Sequence, residues 1–184
     1  KNNQGFKNLI KLSSRGFLEG YYYKPRIDLE LLKEYSEGLI CTSACLGGVV
    51  SFYLRRRDYA KAKEVAKQYQ EIFGDDFYLE IQDHKIADDK LILDGMPKLG
   101  KELGIKLVAT NDCHYIKRED AIAHNILLKL SEKGGETDYK SLRFGTDQIY
   151  FKSQDEMTSL FKDWPESIGS TLKIDEKCYV NFFS

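Results

Sequence analysis

Two residues in the second half of the chain could do chemistry together. Asp112 and His114 stand two positions apart, directly after the apolar run 107–109, which is typical of a short buried strand. In open α/β sheets and (β/α) barrels, ligands and catalytic groups collect beyond the carboxyl ends of the strands. Residues two apart on an extended chain point to the same side, so this carboxylate and imidazole could serve one divalent metal ion or one proton transfer. The pair is equally compatible with a simple hydrogen-bonded couple, and the rest of the chain must decide.

Reactive side chains also follow two other predicted strands. Cys45 comes after residues 39–42, and Asp83 and His84 come after residues 77–81, a run with aromatic and β-branched content. Strands and helices alternate along the chain, which favours parallel strands joined by right-handed crossovers. We therefore predict an α/β fold in which one edge of the sheet carries Cys45, Asp83, His84, Asp112 and His114.

This set of side chains fits two chemistries. A thiolate, an imidazole and a carboxylate are ligands of first-row transition metals, with zinc favoured. The same trio could form the nucleophile, base and orienting acid of a cysteine hydrolase. Sequence spacing does not separate the two.

Helical patterns fill most of the remaining chain. Apolar periodicity and caps predict helices over residues 6–18, 29–37, 49–56, 58–73, 92–103 and 118–131. Pro97 is expected to kink or delay one of them. His124 lies on another and is expected at the surface or beside the metal site, because no partner stands three or four residues away.

The last third of the chain changes character. Residues 132–145 are polar and glycine-containing, which predicts a loop, and residues 148–151 predict a short strand. A helix to Phe161 follows, then a break at Trp164-Pro165 and a final helix over 167–178. We expect one unit over 1–152 and a helical segment over 153–184.

Composition restricts the class of protein. The 184 residues carry a formal net charge of -1 and four cysteines, and the pI is near 6.4. This balance argues against a dedicated nucleic-acid surface, and the cysteine spacing predicts reduced thiols in the cytoplasm. No apolar run is long enough for a membrane span. A first residue other than Met is expected of a piece of a longer protein.

Several segments together resemble one family, the polymerase and histidinol phosphatase (PHP) domain of bacterial DNA polymerase III alpha subunits. The resemblance covers nearly the whole chain and is specific to that subunit. The Glu119-Asp120-Ala121 to His124 segment fits too. The other segments that carry the resemblance are Asn2-Asn3-Gln4-Gly5-Phe6-Lys7-Asn8-Leu9, Tyr23-Lys24-Pro25-Arg26-Ile27, Ser43-Ala44-Cys45-Leu46, Phe77-Tyr78-Leu79-Glu80 and Ala109-Thr110-Asn111-Asp112-Cys113-His114-Tyr115.

The resemblance implies a distorted (β/α)7 barrel, here a partial one, with a site for two or three metal ions at the carboxyl rim. Cys45 matches a late ligand, and Asp112 and His114 match the last Asp-x-His pair. Residues expected to support these ligands are Asp83, His84 and His124. Zinc or manganese is expected in the intact domain, and magnesium in the parent polymerase. This agreement makes the cysteine hydrolase the minor alternative.

The resemblance also implies what this chain lacks. The family's first ligands come from a His-x-His segment and further residues upstream of the stretch matching Lys1, so we expect the carboxyl-terminal part of a PHP domain, with no catalytic residue of its own and no activity alone. The polymerase carboxylates of the family lie in a downstream palm domain.

Two functions are expected for the intact domain. One is a metal-dependent phosphoesterase, a 3'-5' exonuclease. The other is a scaffold that stabilises the polymerase and docks the proofreading exonuclease. The expected partners are DNA, through the parent polymerase, and other replicase subunits, including the sliding clamp. An unrelated small-molecule domain would require the resemblance to be accidental.

Overall fold

The computed structural model describes residues 1–130, 142 and 144–181. It contains helices and parallel strands in alternation, as the sequence predicts. The helices are α1 (Asn3–Leu18), α2 (Leu29–Glu34), α3 (Val49–Arg55), α4 (Tyr59–Phe73), α5 (Ala87–Leu103), α6 (Ala121–Leu130), α7 (Gln154–Leu160) and α8 (Pro165–Glu176). The strands are β1 (Cys41–Thr42), β2 (Phe77–Ile81) and β3 (Lys106–Ala109).

The three strands form one parallel sheet in the order β1-β2-β3. Thr42 pairs with Tyr78, and Leu79 pairs with Leu107, so all three strands end at the same edge. Parallel neighbours require crossovers, which here run through α3, α4 and α5. Within the described residues the sheet does not close. The predicted fold class is confirmed as an α/β fold with a partial (β/α) barrel of PHP type.

The apolar core lies against one face of this sheet, the face of Phe77, Leu79 and Ile81 on β2. Every residue of β2 is buried, as expected of a central parallel strand covered on two sides. The apolar core consists of Val50, Leu54, Ala62, Val65, Ala66, Phe77, Leu79, Ile81, Ile92, Met96, Leu99, Ile105, Leu107, Ala109 and Phe161. Phe161, which follows α7, belongs to this core, and α8 packs on β3. The helices after residue 153 therefore pack against the sheet.

Local sequence explains where several helices begin. The side chain of Asp58 accepts the N–H of Lys61 at 3.0 Å and caps α4, and Ser153 and Glu156 form a capping box at the start of α7. Pro165 is the first residue of α8, a position where the missing N–H of proline costs no hydrogen bond. The helix therefore begins two residues before the predicted start.

Two other local expectations differ from the structure. Residues 148–151 form no regular strand, since only Tyr150 makes an isolated parallel bridge, to Tyr115. Pro97 lies inside α5, which runs without interruption from Ala87 to Leu103. Most of the predicted loop 132–145 lies outside the described residues.

Two broader observations complete the description. The four cysteines are free thiols. In the described part of the chain, none of the helices combines the length and the apolarity that crossing a bilayer requires.

One ion-pair cluster joins the end of the chain to the sheet and gives a pH-dependent prediction. Lys177 Nζ donates to Asp76 Oδ1 at 2.8 Å, and Lys1 contacts the other carboxylate oxygen. Burial alone would raise the pKa of Asp76, but the two ammonium groups lower it. Asp76→Asn should lower the free energy of unfolding at pH 7 by about 1 kcal/mol.

The folded-state pKa of Asp76 lies below its unfolded value of about 3.9. The stabilisation is therefore complete above that value and is lost as the pH falls through the folded-state pKa. Urea unfolding between pH 7 and pH 3 should give a shallower acid dependence for Asp76→Asn than for wild type. Asp75→Asn is the control, because Asp75 is exposed in the same turn. Equal acid slopes for Asp76→Asn and wild type would contradict the assignment.

Candidate metal centre

The loops after the three strands meet at one edge of the sheet and share an unusual backbone feature. Each contains a residue other than glycine in the left-handed region: Ala44 (φ 61°) after β1, Lys85 (φ 62°) after β2 and Asp112 (φ 45°) after β3. Residues with a side chain rarely adopt this backbone conformation. Those that do adopt it are enriched at functional sites. Tyr23 and Arg57 also have a positive φ elsewhere in the chain, so this backbone conformation accompanies the edge of reactive side chains without being confined to it.

Asp112 and His114 lie together at this edge. His114 Nε2 is 3.6 Å from Asp112 Oδ1, with the two side chains 33% and 41% exposed. The His114 ring contacts Phe144, with a centroid distance of 5.0 Å, and lies 5.5 Å from the ring of His124. Burial and the charge of His114 lower the pKa of His124. His124 therefore lies beside the pair, and its role in supporting a metal ligand stays a prediction.

The pair fits a divalent metal in donor type and spacing. Two ligands at about 2.0–2.1 Å from a tetrahedral zinc ion lie about 3.3 Å apart, close to the observed 3.6 Å. Two donors are fewer than the four ligands that a tetrahedral zinc ion takes. Among the described residues, no group of three or more His, Cys, Asp and Glu side chains could hold a metal ion.

Cys45 lies on the expected edge but in a different loop. It follows β1 and is partly buried, and its carbonyl accepts the N–H of Gly48 at 2.9 Å in a tight turn before α3. In the described parts of the chain it does not join Asp112 and His114 in a group that could hold a metal. Its assignment as a ligand stays a prediction.

Asp83 and His84 are engaged with other protein groups. His84 is buried and its Nε2 lies 3.1 Å from the carbonyl oxygen of Asn111. Its backbone N–H donates to Asp89 Oδ2 at 2.6 Å, and burial raises the pKa of Asp89. Asp83 accepts Lys85 Nζ at 2.6 Å. His84 therefore connects the end of β2 to the residue that precedes Asp112.

The structure adds Glu80, a residue that the search for reactive pairs missed. Its side chain is only 9% exposed, yet its Oε2 accepts Thr42 Oγ1 at 2.6 Å and its Oε1 accepts Gln82 Nε2 at 3.0 Å and the hydroxyl of Thr110. One carboxylate thus joins residues at the ends of all three strands. The signal in the sequence was an acid inside the otherwise apolar strand β2.

Comparison with known proteins agrees with this arrangement. Residues 1–84 match the model of the PHP domain. The chain is 45% identical over 178 residues to DNA polymerase III subunit alpha of Borreliella burgdorferi and 42% identical over 181 residues to that of Treponema pallidum. The chain is thus similar over nearly its whole length to DNA polymerase III alpha subunits, and its first 84 residues match the PHP domain. The predicted resemblance is confirmed.

The similarity to these alpha subunits extends over nearly the whole chain but over a small part of each relative. The alignments include 97% and 98% of this chain and 16% of each of those two relatives. A relative from Aquifex aeolicus is 38% identical over 188 residues, which is 99% of this chain and 16% of that protein. The match to the PHP model includes Cys45, whereas Asp112 and His114 lie in the part matched by the longer relatives.

Proposed function

We propose that this chain is part of the PHP domain of a replicative DNA polymerase III alpha subunit and that its sheet edge contributes ligands to a divalent metal site. The observation that carries the proposal is the Asp112 and His114 pair, 3.6 Å apart and held beyond the end of a parallel strand. The relatives of this chain are named as subunits of a DNA polymerase.

In this proposal the donors are the Asp112 carboxylate, the His114 imidazole and the Cys45 thiolate, with further ligands supplied from outside these three residues. Zinc or manganese suits this mixture of oxygen, nitrogen and sulfur donors. A divalent ion in such a site supplies Lewis-acid activation of a phosphoryl oxygen. The reaction we propose for the intact domain is therefore phosphodiester hydrolysis, acting as a 3'-5' exonuclease.

The part played by this chain is to bind and orient. Asp112 and His114 are partly exposed and available to a ligand. The His114 ring is kept in place by ring contacts with His124 and Phe144. No proton-transfer residue is assigned within the chain, and we expect the 184-residue chain alone to hydrolyse no phosphodiester.

A second candidate function is a structural scaffold for the polymerase that docks the proofreading subunit. It is favoured by the hydrogen bonds of Glu80, His84 and Asn111, which tie the strand ends to one another rather than to an open site. A scaffold needs a rigid edge but no metal. The expected partners in both cases are DNA, through the parent polymerase with its magnesium ions, and other replicase subunits such as the sliding clamp, in the cytoplasm.

Activity of the full-length polypeptide separates the two functions. Asp112→Ala and His114→Ala should each lower metal-dependent 3'-5' exonuclease activity by about a hundredfold, because loss of a direct metal ligand costs at least as much as the 10–100-fold losses seen for residues that support a ligand. Nucleotide incorporation should stay within about twofold of wild type, since no polymerase carboxylate is assigned to this region. His84→Gln controls for disturbance of the edge. Exonuclease activity that survives both alanine changes would show that this pair binds no catalytic metal, and a wild type without such activity would leave the scaffold.

A further inference from the structure

The residue directly before the candidate ligand pair is unusually well held. Asn111 is 6% exposed. Its Nδ2 donates to the carbonyl oxygens of Gln148 and Tyr150, at 3.0 and 2.6 Å. Its Oδ1 accepts Lys152 Nζ at 3.0 Å. Both ends of this buried amide are therefore satisfied.

The backbone of Asn111 is fixed from the other side. Its carbonyl oxygen lies 3.1 Å from Nε2 of the buried His84, and a carbonyl can only accept, so this ring nitrogen carries the proton. The preceding residue, Thr110, donates its N–H to Ile81 at 3.1 Å. Asn111 is thus held between the end of β2 and the segment 148–152.

That segment also holds the backbone of the pair itself. The N–H of His114 donates to the carbonyl of Ile149 at 2.8 Å, and the N–H of Phe151 donates to Tyr115 at 3.0 Å. Residues 148–152 therefore run beside 111–115, and the side chain of Asn111 connects the two.

Asp112 needs such support. Its φ of 45° lies in the left-handed region, which is unfavourable for a residue with a side chain, and surrounding structure must hold a residue there. The Asp112 side chain is 41% exposed, so close packing does not hold it. The hydrogen bonds of the Asn111 side chain and of the His114 N–H therefore hold the backbone of Asp112 in this conformation.

We infer that Asn111 is a positioning residue, which holds Asp112 and His114 in the geometry that a divalent metal requires, with Lys152 as its anchor. The inference rests on the proposed metal function. Asn111 itself touches no ligand in this assignment. It acts through the backbone conformation of Asp112.

Manganese titration of the full-length polypeptide, followed by paramagnetic broadening of the His114 ring in NMR spectra, tests this inference. Asn111→Asp keeps the size of the side chain but replaces the two N–H donors by an oxygen facing two carbonyl oxygens. The apparent Kd for Mn²⁺ should rise about tenfold or more, as for other residues that orient metal ligands. The ring contact between His114 and His124 should weaken in the metal-free variant as well.

Val65→Ala is the matched control, because it removes core volume on α4 far from the pair in sequence. It should leave the Kd within about twofold of wild type, so a general loss of stability cannot imitate the expected result. If Asn111→Asp does not fold, Lys152→Met removes one bond of the same set and should weaken Mn²⁺ about threefold.

The outcomes separate the inference from the function. Broadening in wild type with an equal Kd in folded Asn111→Asp, or in Lys152→Met where that variant is used, would overturn the positioning role alone. If neither Mn²⁺ nor competing Zn²⁺ affects the His114 ring of wild type, the proposed metal function fails and the positioning role falls with it.

Discussion

Phe161→Ala is expected to lower the free energy of unfolding by about 3–5 kcal/mol. Phe161 follows α7 and is completely buried. It joins the same apolar core as residues of the sheet, including Leu107 and Ile81. Removal of its ring leaves a cavity in that core, which costs more than the transfer of the lost atoms alone.

This prediction bears on the proposed boundary at residue 152. If residues 153–176 and the sheet share one core, urea denaturation of Phe161→Ala should show one transition at lower denaturant with an unchanged slope. Phe151→Ala is the control, because Phe151 is 71% exposed and its loss should change stability by less than about 0.5 kcal/mol. Two separate transitions, of which only one responds to Phe161→Ala, would contradict the shared core.

Glu80→Ala is expected to lower the free energy of unfolding by about 3 kcal/mol. The change removes the acceptor of the Thr42 and Thr110 hydroxyls and of one N–H of the Gln82 amide, which keeps its bond to Thr110. Thr42 is exposed to water, so most of the cost comes from the buried Gln82 and the partly buried Thr110. Buried donors that lose a charged partner cost more than donors that return to water. Glu80→Gln keeps one acceptor oxygen and should lose less than Glu80→Ala.

Chemical denaturation with hydrogen exchange checks this expectation. The amide of Ser43, which donates to Tyr78 at 3.0 Å, should exchange faster in Glu80→Ala, because β1 is short and has the sheet on one side only. Glu71→Ala is the control, since Glu71 is exposed on α4. A loss no larger than that of Glu71→Ala would mean that Glu80 does not hold the strand ends together.

The sequence predicted the framework because its signals are local. β2 was placed at its observed ends, since aromatic and β-branched residues stand between clear breaks. The start of α4 was marked by Asp58 as its cap. Strand and helix alternation then implied parallel pairing, which placed Cys45, His84 and Asp112 at one edge without any knowledge of distances.

The missed features depend on contacts between distant parts of the chain. Residues 148–151 have strand composition, but they meet Tyr115 through one bridge only, and pairing is a property of the partner as well as of the segment. Pro165 was read as a break, although proline is also favourable at the first position of a helix. The structural role of Asn111 depends on Gln148 and Lys152, which are 37 and 41 residues away.

Only some of the predicted ligands lie together in the candidate site. Asp112 and His114 lie 3.6 Å apart, but not on the extended chain from which the pairing was predicted, because Asp112 has a φ of 45°; their assignment as ligands stays a prediction. Sharing an edge did not bring Cys45 into a group of three with them among the residues described, because loop conformation, rather than strand order, decides how far a side chain reaches across a sheet edge. The complete ligand set therefore remains a prediction.

The metal content of the full-length polypeptide decides whether this edge of the sheet is a metal site. Elemental analysis should compare purified wild type with Cys45→Ala and His114→Ala, each dialysed against metal-free buffer. We predict bound zinc or manganese in wild type and a loss of about half or more in each variant, because each removes a direct ligand. A wild type without bound metal, or variants that retain the wild-type content, would contradict the metal site and leave the scaffold as the function of this edge.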